Sequence, residues 1–293
     1  MKFLKRFEME EDPWIDLAVK CSKNSVFQFQ KLSGVLKVSY GVYRETITNN
    51  AKSFSASSFS SQKELLVDYY TSPPVNLKEI IRARRNDHGL EECPYCVHPF
   101  PPDTLDHFIP KEYWPEYSIY SNNLVPQCKY CAPIKGTRYL CPEEGKPIFI
   151  HPIFSDLLSK IKFKVTIQLI SGEPSFRCKF ASTEKLAQEE KAAVLRHLKR
   201  LSVKGRFEGY CRQRYRFWRN KVMAHGVDIR AAFRQRVSEM PCEGDFSSNW
   251  RRAFLVGALS CHPFIESLER LAPDSRCQRD SRFVDEPLYP VDL

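Results

Sequence analysis

No stretch of about 18 uncharged apolar residues occurs in this chain of 293 residues, so no membrane-spanning helix is expected. The opening Met1-Lys2-Phe3-Leu4-Lys5-Arg6-Phe7-Glu8 lacks the apolar run of a secretory signal, and no internal repeat is visible. Disulfide scaffolding is also poorly supported. The eleven cysteines are an odd number, and seven of them (Cys21, Cys141, Cys178, Cys211, Cys242, Cys261 and Cys277) show no paired spacing. A reduced, cytoplasmic protein fits this usage better. Acidic residues are scarce in one region. Residues 191–236 hold 14 Lys or Arg against only Glu208 and Asp228, a local charge of +12 within a chain of net charge +10. Such a concentration points to a polyanionic partner, with nucleic acid first among them.

Composition is otherwise that of a soluble globular protein, 42% hydrophobic and 27% charged. Residues 1–89 read as mainly helical, with a Ser- and Asn-rich connection over 50–62. Capping boxes at Ser61/Glu64 and Asn76/Glu79 open two of these helices. The second ends in the basic cluster Arg82, Arg84 and Arg85, equally readable as a phosphate contact or a solvated helix end. Residues 90–140 form a separate unit with room only for short strands, Leu105–Ile109 among them. Residues 141–293 begin with a hairpin: Phe163, Val165, Ile167 and Leu169 alternate, Ser171-Gly172 turns, and Phe176 to Phe180 returns. Helices follow from Glu184, with Phe207, Cys211, Tyr215, Trp218 and Val222 on one face and Arg212, Arg216 and Arg219 on a neighbouring stripe. Further helices are expected around Ile229–Val237 and Trp250–Leu259, and an extended tail after Pro273. The fold class expected is α+β.

The middle unit carries the chemistry. Cys93-Pro94-Tyr95-Cys96 and Cys128-Lys129-Tyr130-Cys131 each have the C-x2-C spacing that lets a tight turn offer two sulfurs to one ion, so the four thiolates suit a tetrahedral structural Zn2+. Between the pairs lie Leu105-Asp106-His107-Phe108-Ile109-Pro110-Lys111 and Asn123-Leu124-Val125-Pro126. After them comes Lys135-Gly136. Singly, each has a bland reading: Asp-His is a common dipeptide, Asn123 suits a turn, and Lys135 suits a solvated helix. Their order between and after the zinc pairs raises them together. His98, close after Cys96, is a spare zinc ligand where four cysteines suffice, and His151 reads as a packing residue.

Over residues 93–136 this pattern resembles the zinc-stapled version of the HNH endonuclease family. The resemblance implies a ββα-metal core and a metal-dependent endonuclease hydrolysing DNA phosphodiester bonds, in a setting of bacterial defence against foreign DNA with a protein partner of that system. RNA is an alternative substrate, since nothing in the motif reads the sugar. By the same resemblance His107 is the general base, Asp106 the ligand of a catalytic Mg2+ or Mn2+, and Asn123 the residue that orients the loop and the histidine. Lys135 and Arg138 lie beside the nucleic acid, which Arg212, Arg216 and Arg219 would follow further along.

One position departs from the pattern. The His or Asn that usually follows the second cysteine pair as a metal ligand is here Ala132, whose methyl group coordinates nothing. An inactivating substitution, a replacement ligand such as Asn122, and a natural non-cleaving relative are three explanations. The competing reading is therefore a non-cleaving, zinc-stabilised nucleic-acid-binding module.

Overall fold

Asp12 starts the first helix of the computed structural model, which describes residues 1–48, 56–241 and 243–273. Its carboxylate accepts the Trp14 amide at 2.9 Å, and Pro13 at the first helical position has no amide to satisfy, which opens α1 (Pro13–Val19). Helix α2 (Val26–Thr48) buries Phe29, Leu36, Tyr40, Tyr43 and Ile47, a helical stripe on one face. Helices α3 (Lys63–Thr71) and α4 (Val75–Asn86) follow. Neither uses the capping side chain expected of it. Gln62 and Pro74 stand at the N-caps, and Asn76 lies inside the first turn because the chain enters the helix directly from Pro74. Of the expected 50–62 connection, 50–55 lies outside the described residues and Ser60–Gln62 forms a 3-10 turn.

Strands β1 (Thr104–His107) and β2 (Leu124–Gln127) pair antiparallel, Thr104 opposite Gln127 and His107 opposite Leu124. The expected strand to Ile109 stops at His107. The Ile109 backbone is taken by the Asn123 side chain instead of a ladder partner, and Pro110 has no amide to offer. Helix α5 (Ala132–Lys135) is a single turn closed by Gly136, whose φ of 50° and ψ of −134° suit only glycine. That geometry explains the glycine of the Lys135-Gly136 pair.

The expected hairpin is β3 (Ile161–Ile170) with β4 (Glu173–Ser182). Ser171 and Gly172 both have positive φ, 51° and 85°, the two-residue turn whose twist matches the strands. Phe163, Val165 and Ile167 with Phe176 and Cys178 form its buried face. Helices α6 (Gln188–Arg200), α7 (Val203–His225), α8 (Ile229–Ser238), α9 (Trp250–Leu259) and α10 (His262–Glu269) complete the described chain. Helix α9 lies so close on β3 that a Cβ at Gly257 would come within 2.6 Å of the Val165 carbonyl oxygen. The tail after Pro273 falls outside the described residues, as do Cys242 and Cys277. The architecture is a mixed α/β fold with two separate two-stranded sheets among the described residues, and its buried apolar residues run from Met1 to Leu268. No described helix is long and apolar enough to cross a membrane.

Candidate metal centre and the adjoining Asp-His site

Two tight turns bring the cysteines together. In the first, the Val97 amide donates to the Cys93 carbonyl at 2.8 Å and the His98 amide reaches the Cys96 sulfur at 3.4 Å. Val97 holds φ at 60°, a left-handed conformation that a β-branched residue adopts only when its surroundings impose it. In the second, the Cys131 amide donates to the Cys128 carbonyl at 2.9 Å. All four sulfurs are buried and lie within 4.8 Å of one another. Cys96 and Cys128 are 3.8 Å apart, which matches the edge of about 3.8 Å in a tetrahedron with Zn–S bonds of about 2.3 Å. The donor set fits Zn2+, and four thiolates leave no open position for water, so its part is structural.

Arg206, on the first turn of α7, faces this cluster. Its guanidinium lies 3.1 Å from Cys96 Sγ and 3.3 Å from Cys131 Sγ. Burial alone would lower the guanidinium pKa, but the sulfurs of Cys96, Cys131 and Cys128 outweigh it and hold the group charged. Four thiolates around a dication carry a net charge of −2, and Arg206 offsets part of it from outside the ligand set. In the sequence Arg206 is one of the 14 basic residues of 191–236, and no motif spacing marks it. His197 ties the first turn to the chain from another side, donating to the Tyr95 carbonyl at 2.8 Å and accepting the Ile150 amide at 3.1 Å.

The strand period sends neighbouring side chains of β1 to opposite faces. Asp106 points toward Tyr95, whose hydroxyl donates to Oδ2 at 2.8 Å, and toward Lys135, whose ammonium lies 3.0 Å from Oδ1. Lys135 is fully buried. It also donates to the His107 carbonyl at 2.9 Å and lies over the Phe108 and Phe149 rings. Burial raises the Asp106 carboxyl pKa, with Lys135 and Tyr95 opposing the shift. His107 turns the other way and meets the Tyr70 ring edge-on, centroids 4.3 Å apart. Nε2 lies 2.9 Å from the Ser118 carbonyl, which can only accept, so Nε2 carries the proton and Nδ1 keeps its lone pair. Nδ1 has no hydrogen-bond partner among the described residues, and the residue as a whole is 9% exposed. Burial lowers the imidazole pKa to about 3, which keeps the ring neutral at pH 7 and makes it a weak base.

Asn123 holds the loop between the strands. Its Oδ1 accepts the Ile109 amide and the Tyr43 hydroxyl, both at 2.7 Å, and its Nδ2 donates to the Ile109 and Tyr117 carbonyls at 3.0 and 3.1 Å. His151, 3.4 Å from the same Tyr43 hydroxyl, backs this contact. Residues with no local signal fix the far end. Arg84, from the basic cluster of α4, is buried and donates to the Phe7, Ser121 and Leu124 carbonyls, and Asp12 accepts the Ser121 amide at 2.8 Å. Arg84 is thus a clamp on β2 and not a phosphate contact, while Arg82 stays exposed.

Several expected positions fall elsewhere. Lys135 cannot stand beside a substrate phosphate, because it is enclosed and paired with Asp106. Asn122 cannot replace the ligand missing at Ala132: it is buried, accepts the Met9 amide and donates to the Met9 carbonyl and the Tyr120 hydroxyl. Arg138 is exposed, but its guanidinium folds back on the Ile134 and Lys135 carbonyls. Arg212, Arg216 and Arg219 are exposed on α7, away from its aromatic face. The His98 ring lies between Tyr130, Phe100 and Trp250 and is not one of the grouped ligands, although the His98 amide reaches the Cys96 sulfur. The residues present make a poor site for Mg2+ or Mn2+ in this arrangement. Asp106 has both oxygens engaged, position 132 offers no donor, and an ammonium 3.0 Å from the carboxylate would repel a dication.

No protein-family model matches the chain, and no solved structure matches it. One stretch of 122 residues is 32% identical to "Protein ea31" of Escherichia phage lambda, covering 40% of this chain and 40% of that protein. The chain is therefore similar to ea31 over less than half the length of either.

Proposed function

We propose that the chain is an HNH-type endonuclease acting on DNA, with a weakened hydrolytic centre. The observation that carries this reading is the state of His107. A zinc-stapled hairpin holds the ring, the Ser118 carbonyl accepts from Nε2–H, and Nδ1 keeps a lone pair able to receive a proton from water. Asn123 keeps the loop, and with it the Ser118 carbonyl, in place. The weakening follows from Ala132 and from the Lys135–Asp106 pair, which removes the carboxylate from service as a ligand. Defence against foreign DNA is the setting implied by the family resemblance.

A second reading, a zinc-stabilised nucleic-acid-binding module that does not cut, draws on that same pair and on Ala132. Conversion of supercoiled plasmid with Mg2+ or Mn2+ separates the two. The nuclease reading expects slow nicking by the wild-type chain, faster nicking by Ala132→Asn or Ala132→His, and none by His107→Ala. Equal product from all of these proteins would leave only the binding module.

A further inference from the structure

Helices α7, α8 and α9 and the loop after the first cysteine pair enclose an open cleft of about 330 Å3. Each helix contributes one arginine to it: Arg214, Arg236 and Arg251. No acidic residue lines it, and none of the three forms an ion pair with a carboxylate among the described residues. On its other side Arg251 borders a second pocket that carries Glu91, Glu92 and Glu239, and it contributes to the field at Glu92. Aromatic rings fill the space between. Arg214 lies over Phe217 at 4.3 Å and Arg236 over Trp218 at 5.3 Å, while Phe100 and Phe217 remain 58% and 43% exposed.

Such a cleft is costly without a ligand. Three guanidinium groups around one small volume repel one another, and two large apolar rings face water. Stacking on an aromatic face holds the Arg214 and Arg236 guanidinium planes while leaving their N–H forks free for an oxyanion. An anion beside a flat aromatic group relieves both costs, and that combination is the phosphate and base of a nucleotide. We propose that this cleft binds a nucleotide unit of single-stranded DNA, with its phosphate on the arginines and its base stacked on Phe217 and Phe100. The site deepens the nucleic-acid reading given above. It moves the contact from the stripe Arg212, Arg216 and Arg219 to a different face of the same helix.

The test is fluorescence anisotropy of a labelled dT12 strand with the full chain, each variant first checked for a native thermal transition. Arg214→Ala/Arg251→Ala is expected to weaken binding about tenfold or more and to lower the salt slope by about 1.4. Phe217→Ala, at an exposed ring, is expected to weaken binding about fivefold or more through lost stacking. Arg212→Ala/Arg216→Ala is expected to weaken it less than either. A change under threefold in both cleft variants overturns the proposal, as does a larger loss from the stripe variant. Free dTMP binding as tightly as dT12 would overturn the single strand as ligand in favour of a nucleotide. Binding is read without cleavage, so a chain that never nicks plasmid but loses dT12 through the cleft variants refutes the nuclease and supports this site. Intact cleavage with unaffected dT12 binding does the reverse.

Discussion

Replacing Lys135 by Met tests whether a buried ammonium stands against Asp106 where the family resemblance places a metal ion. The pair is 3.0 Å long, with the lysine side chain fully enclosed and the aspartate side chain 9% exposed. Removing one partner of such a pair leaves an uncompensated buried charge, at a cost of about 3–5 kcal/mol. Met fills most of the apolar path of the lysine beside Phe108 and Phe149, so lost packing adds little. The carboxyl, already raised by burial, would escape part of the cost by taking up a proton. The penalty is therefore largest at pH 8 and shrinks toward pH 5. Asp106→Asn/Lys135→Met removes both charges and should recover most of the loss, a coupling of about 2 kcal/mol or more. Urea unfolding of the zinc-loaded protein measures each corner of the cycle as a shift in midpoint at constant m. A Lys135→Met protein within about 1 kcal/mol of wild type at pH 8 would refute the reasoning, because it would mean that the ammonium is free to leave and Asp106 is open to a cation.

Three further outcomes follow from the same contacts. Arg206→Met should speed loss of zinc to a chromogenic chelator, with affinity lower by about 10–100-fold; unchanged release would mean the Arg206–sulfur contacts do not support the centre. Burial holds His107 at about 3, His197 at about 4 and His151 well below its usual value, against about 6.5 in an unfolded chain. Below pH 6.5 the unfolded chain therefore binds protons the folded one refuses, and by pH 5 each histidine lowers stability by about 2 kcal/mol relative to pH 8. Raised carboxyls such as Asp106 and Glu116 act in the opposite sense. The readout is thus the difference between wild type and His197→Gln, whose stability should fall less from pH 8 to 5; parallel curves would contradict it. Gly257→Ala should cost about 3 kcal/mol or more in a thermal melt, since its methyl group meets the Val165 backbone; a neutral result would mean α9 does not lie so close to β3.

Legibility in the sequence followed the range of the interactions. The β3–β4 hairpin could be read because alternation and the Ser171-Gly172 turn are local, and α8 and α9 because their apolar periodicity spans whole turns. The four cysteines were legible because two short turns at fixed spacing need only one ion to bring them together. Helix starts at Gln62 and Pro74 were not, since the capping boxes read nearby are weaker than the path by which the chain arrives. Arg84, Arg206 and His197 sit in charged helical segments of the sequence and proved to be clamps, Arg84 and His197 buried and Arg206 half-buried. The partners they clamp in other elements lie 37 to 110 residues away, and no local pattern encodes such a distance.

By itself the sequence determined the elements and the sulfur centre, both products of short-range spacing. Only the tertiary structure decided what Asp106, Lys135 and the arginines do. Enclosure turned Lys135 from a candidate phosphate contact into the counterion of Asp106, and convergence of three helices put Arg214, Arg236 and Arg251 in one cleft. The physical reason is desolvation: a charge removed from water must find a partner within a few ångströms, and which partner is at hand depends on how distant segments pack.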